Sequence, residues 1–156
     1  GQKHVLRVVR EILAAEPAGT GTDLAVALST LVKVARRRSV AFVLSDFFAG
    51  GYERALSLAS ARHDVVPVMI VDPRDEDMPD VGLANFQDLE TGEDVLIDTS
   101  DRHVREHYRA SMRLLRQKPI DLFRKFGLDH CVVHTHRPYI APLRELFARR
   151  ARRAHR

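Results

Sequence analysis

Val40-Ala41-Phe42-Val43-Leu44-Ser45-Asp46 decides the fold. The run is apolar at almost every position up to Ser45, with no polar alternation. Such a run reads as a strand buried on both faces, the habit of a parallel sheet. Val65-Val66-Pro67-Val68-Met69-Ile70-Val71 repeats the pattern, and His130-Cys131-Val132-Val133-His134 gives a shorter third strand. Pro67 has no amide hydrogen to donate, so the second strand is expected to meet an edge or an irregularity near its start. Asp72-Pro73 stops it.

Helical patterns separate these runs. Val5, Val8, Val9, Ile12 and Leu13 share one face of a helix spanning residues 3 to 16, which Pro17 and the glycines after it end. Thr22 or Asp23 can cap a second helix that turns Leu24, Leu28, Leu31, Val32 and Ala35 inward. Arg36, Arg37 and Arg38 fall in its last turn, where cations suit the helix dipole. Tyr52, Ala55, Leu56 and Ala59 predict a short third helix. Residues 84 to 90 and Asp94 to Asp98 predict a hairpin around Glu90-Thr91-Gly92-Glu93. Ser100-Asp101 can cap a long helix that Pro119 should break or kink and Gly127 should end. A last helix begins after Pro138. The alternation predicts an α/β fold, a three-layer doubly wound and mainly parallel sheet with the hairpin inserted near residues 84 to 98. Residues 1 to 156 form one domain, with a basic helix end or tail over residues 148 to 156.

Composition narrows the function classes. At 156 residues, 45% hydrophobic and 29% charged, the chain can bury a real core. No apolar run reaches bilayer-spanning length. The lone Cys131 excludes an internal disulfide, is compatible with a reducing cytoplasm, and sits among valines as a core residue. The net charge of +4 comes mostly from Arg36 to Arg38 and from the C-terminal arginines, Arg149, Arg150, Arg152, Arg153 and Arg156. Basicity that local argues against a dedicated nucleic-acid domain.

Thr22 and Asp46 are the candidate site residues. One lies in a Gly-rich turn before a helix, the other at the end of a parallel strand, where α/β sheets bind their ligands. Both carry oxygen donors suited to a hard cation, although each also has a plainer role as cap or turn former. His134 and His136 stand two apart as zinc ligands might, but no third ligand accompanies them. His63-Asp64 could pair as an acid–base dyad but has no nucleophile beside it. The acidic stretch from Asp72 to Asp80 reads as a solvated loop rather than an ion site, and the terminal arginines as a solvated helix end. No Walker loop or nucleophile elbow is present, so no catalytic residue is assigned.

An ordered set of motifs carries a family resemblance: Gly21-Thr22-Asp23-Leu24-Ala25, Val43-Leu44-Ser45-Asp46-Phe47, Arg62-His63-Asp64-Val65-Val66, Val71-Asp72-Pro73-Arg74 and Glu90-Thr91-Gly92-Glu93. Together they resemble the C-terminal half of the von Willebrand factor A-like proteins known as domain of unknown function fifty-eight. The likeness runs from about His4 to Phe147. It implies a metal-ion-dependent adhesion site built from an Asp-x-Ser-x-Ser motif, a Thr and an Asp. Thr22 matches the second element and Asp46 the third; the first occurs nowhere in the chain. A segment preceding Gly1 is expected to supply it, and Mg²⁺ or Mn²⁺ is expected to bind this chain weakly or not at all. The absent strand would leave Val40 to Ser45 as a sheet edge open to self-association. The resemblance further implies a non-enzymatic protein-binding module working with a MoxR-type AAA+ ATPase in assembly or maturation of other complexes. Binding of nucleic acid or an acidic partner through the C-terminal arginines is the alternative.

Overall fold

The structure, a computed structural model, describes residues 1–16, 21–87 and 92–154. In chain order it contains α1 (Gln2–Ala14), α2 (Leu24–Val34), β1 (Val40–Ser45), α3 (Glu53–Arg62), β2 (Asp64–Val71), a 3-10 turn (Pro73–Asp75), β3 (Leu83–Gln87), β4 (Asp94–Asp98), α4 (Arg102–Lys125), β5 (Cys131–His134) and α5 (Ile140–Ala154). The predicted turns at Pro17 to Thr20 and at Glu90-Thr91, and Arg156, lie outside the described residues.

Three strands pair in parallel in the order β1-β2-β5. Val40 lies opposite Asp64 and Val68 opposite Cys131. The odd-numbered side chains of β2 and Val43 of β1 face α2, α3 and α4, in a core with Leu28, Leu56, Met69 and Phe123. Val66, Val68, Cys131 and Val133 face the other way, onto Leu143 and Leu146 of α5. Helices therefore lie on both faces of an α/β sheet. The three strands nevertheless advance in one direction only, which places the crossover helices α3 and α4 on the same face.

Pro67 sits in the central strand, and the ladder shows how it fits. Asp64 donates its amide to Ser39, and the Val71 carbonyl accepts from Thr135. Odd residues of β2 thus turn their backbone groups toward β5. The β5 ladder begins only at Val68, so the missing amide of Pro67 faces an unpaired stretch. The irregularity lies in the neighbour.

Other expectations need correction. β1 is not buried on both faces: Val40, Phe42 and Leu44 are exposed, because β1 is an edge strand that α5 only partly overhangs. Pro119 does not break its helix; α4 runs unbroken through it for 24 residues, with Pro119, Ile120 and Phe123 held against the core. Burial of Pro119 itself and of Phe123 one turn later outweighs the hydrogen bond the proline forfeits. Gly127, at φ +65°, ends α4 as predicted: Leu128 N–H reaches the Phe123 carbonyl and Gly127 N–H that of Arg124. Arg36 to Arg38 lie beyond α2, which stops at Val34 with Ala35 extended, and only Lys33 is a cation of its last turn.

The hairpin pairs Leu83 with Asp98 and Gln87 with Asp94 as a separate two-stranded sheet. Buried Thr99 ties its base, donating its hydroxyl to Gly82 O and accepting there from Val81 N–H.

Candidate functional site

Asp46 follows the last residue of β1 and is exposed. The turn that holds it is strained. Phe47 has φ +60°, a left-handed conformation that bulky side chains adopt only under constraint. Two hydrogen bonds and a buried ring enforce it. Ser45 Oγ accepts from Phe47 N–H at 3.0 Å, and Asp46 Oδ1 accepts from Phe48 N–H at 3.2 Å. The Phe47 ring packs edge-on against Phe123 at 4.9 Å and lies 6.0 Å from Tyr52. Burial, with Glu53 adding to it, pushes the Tyr52 hydroxyl up to about 12. Asp46 is thus clamped through one oxygen, while Oδ2 finds no partner among the described residues. Backbone strain of about 1–3 kcal/mol is a common mark of functional turns. Nothing in the sequence announced it, because a left-handed conformation at a Phe has no local sequence signal.

Thr22 reaches the same edge by another route. α3 follows the carboxyl end of β1 and ends at Arg62, beside the start of β2. The Arg62 guanidinium donates to the Val32 carbonyl near the end of α2. The two packed helices therefore point the same way, and the start of α2 lies at the carboxyl edge with Asp46. Asp23 is the cap, accepting from Val26 N–H at 2.9 Å. Thr22 is left exposed, with its hydroxyl unpartnered among the described residues. No hydrogen bond joins it to Asp46.

These two residues supply two oxygens where a hard cation takes about six. Among the described residues, no group of three or more His, Cys, Asp or Glu side chains could hold a metal. By themselves they do not make a complete site.

The other candidates are occupied elsewhere. Arg150 ion-pairs with Asp64, so His63-Asp64 forms no dyad; His63 is buried with neither ring nitrogen partnered. The His134 and His136 rings lie 5.6 Å apart, but His136 Nε2 accepts from Arg137 at 3.0 Å. The acidic loop is not simply solvated: Asp80 meets Arg105, Asp77 meets Arg109, and Asp75 and Glu76 both meet Arg116, all on α4. The C-terminal arginines are not a loose tail either. α5 continues to Ala154, Arg149 donates to the His130 carbonyl, and Arg150 and Arg153 share Asp129. Their spacing one helical turn apart was legible in the sequence; their acidic partners, up to 86 residues away, were not. Burial raises the Cys131 thiol pKa against a smaller opposing effect of Arg149, as suits an inert core thiol.

The chain belongs to the family described as "Protein of unknown function DUF58", whose model matches residues 1–118. It is 33% identical over 158 residues to the uncharacterized protein Rv1480 of Mycobacterium tuberculosis (strain ATCC 25618 / H37Rv), covering 99% of this chain and 49% of that one. The uncharacterized protein Mb1516 of Mycobacterium bovis matches to the same extent. The uncharacterized protein MAV169 of Mycobacterium avium is 33% identical over 128 residues, covering 81% of this chain and 75% of its own. The chain thus spans about half the length of the first two relatives. No solved structure matches it.

Proposed function

We propose that this chain is a von Willebrand factor A-like, non-enzymatic protein-binding module that works in the cytoplasm with a MoxR-type AAA+ ATPase, assisting assembly or maturation of other complexes. The observation that carries the reading is the strained turn presenting Asp46 with one carboxylate oxygen free, at the edge where Thr22 also stands unpartnered. A turn former alone would not require a buried Phe in a left-handed conformation. Mg²⁺ or Mn²⁺ held there would offer a Lewis-acidic face to a carboxylate of the partner. Thr22 and Asp46 supply two of its ligands, and groups beyond these two residues supply the rest. Binding of this kind exchanges one acidic ligand for another and makes no covalent bond.

Among the described residues no strand pairs with the outer side of β1, and an open edge of this kind favours self-association. Among the described residues, no helix is long and apolar enough to cross a membrane. The alternative reading, nucleic acid or an acidic partner gripped by the C-terminal arginines, draws no support from Arg150 and Arg153, which are already paired.

Calorimetric titration of Mg²⁺ and Mn²⁺ tests the cation. It should be run on this chain and on one extended upstream to carry an Asp-x-Ser-x-Ser strand. Binding in the longer protein that Asp46→Ala abolishes, together with loss of ATPase capture, is expected. Capture that survives Asp46→Ala would end the cation mechanism, and no capture in any form would end the partnership.

A further inference from the structure

His63 is a buried polar side chain that the fold leaves unanswered. Its backbone amide closes α3 by donating to the Ala59 carbonyl, while its ring is 2% exposed with both nitrogens unpartnered. A buried polar group ordinarily has a hydrogen-bond partner, and one without calls for an explanation. The residue borders a hollow of about 440 Å³ at the amino edge of the sheet, between the end of α3, the start of β2 and the turn from α4 into β5. That volume lies in the range of small-molecule sites, roughly 300–1,000 Å³.

The polar groups around the hollow fall into two sets. Its two carboxylates are already answered: Asp64 pairs with Arg150, and Asp129 with Arg150 and Arg153. The Ser60 hydroxyl donates to the Ser57 carbonyl at 2.9 Å. The Arg38 guanidinium and the Ser57 hydroxyl, by contrast, have no partner among the described residues. The open groups are therefore a guanidinium, a hydroxyl and an imidazole, and all three can donate. Arg36 and Arg37 precede Arg38 in the same exposed loop and add positive potential nearby.

We infer that this hollow binds a small phosphate-bearing molecule through Arg38, Ser57 and His63. Arg38 meets the phosphate oxygens as a planar fork, Ser57 adds a hydrogen bond, and the ligand gives the His63 ring the partner it lacks. A phosphate carries more acceptor oxygens than a carboxylate and so serves all three donors at once. The His63 ring is shielded from bulk solvent, which favours a small ligand over a length of polypeptide. The site lies at the end of the strands opposite Thr22 and Asp46 and does not depend on the function proposed above.

Calorimetric titration of the full chain with inorganic phosphate and with glycerol 3-phosphate, in metal-free buffer, tests the site apart from any cation at Asp46. Saturable binding of at least one probe is expected, and Arg38→Gln should weaken it about tenfold or more. Arg38 is exposed, so the substitution leaves the fold intact. The ¹⁵N resonances of the His63 ring should shift on saturation. Tighter binding of the ester identifies an organic phosphate and equal binding the free ion; both uphold the site. No saturable binding, or binding that ignores Arg38→Gln or leaves the His63 ring unshifted, would overturn it. Binding lost in a chain extended upstream would assign the hollow to the added segment and overturn it equally.

Discussion

Phe42 and Val66 are register partners in adjacent strands, yet Phe42 is 45% exposed and Val66 is 0% exposed. β1 and β2 are similar strings of aliphatic residues. β2 has a strand on each side and helices over both faces. β1 has one neighbour, is half-buried on the face carrying Val43 and is exposed on the face carrying Phe42. A hydrophobic run reports that a strand wants burial; it does not report whether the rest of the chain provides it. The carboxyl and amino edges differ in the same way. At the amino edge Asp64 and Asp129 are answered by Arg150 and Arg153, whereas at the carboxyl edge Asp46 pairs with no cation among the described residues.

The sharpest break in this comparison comes from the covered face. Phe123→Ala removes a fully buried ring that also supports the Phe47 turn, and should cost about 3–5 kcal/mol in denaturant unfolding. A loss under 1 kcal/mol would mean the α4 side is no better packed than the α5 side. Tyr52 gives a pH test of the same core. Its folded pKa lies above the ordinary 10, so its stabilising effect is complete below pH 10 and is lost as pH rises through about 12. That loss should be on the order of 2–3 kcal/mol. Tyr52→Phe should flatten the thermal-melting profile across this window, and an unchanged slope would refute the assignment.

Asp64→Asn leaves Arg150 paired only with Asp129 and should cost about 1 kcal/mol, since both side chains keep some solvent contact. The loss should shrink at high salt; a salt-independent loss would point to packing instead. Smallest of all, Leu44→Ser should alter monomer stability by no more than about 0.5 kcal/mol, because the side chain is already 65% exposed. A change as large as that of Phe123→Ala would show that β1 is covered in solution.

Much of the architecture was legible because it is periodic. The β1 limits, the hairpin strands, the amphipathic α1, the Gly127 stop and the Asp101 cap, which accepts from His103 N–H, all follow from spacing and local chemistry. The readings that needed revision each involve long-range partners. Pro119 stays helical because it and the residues after it pack against a core assembled from distant parts of the chain, and the acidic loop is tied down by arginines on α4. At the candidate site, Thr22 and Asp46 could be picked out as oxygen donors, while the strain at Phe47 could not.

Sequence by itself determined the kinds of elements, their order and most of their ends, because helix and strand periods, caps and breakers act over a few residues. Tertiary structure alone decided which apolar strand is covered, which charges are cancelled and which carboxylate stays free. Those outcomes depend on groups distant in the chain meeting in space, and no local pattern encodes that meeting.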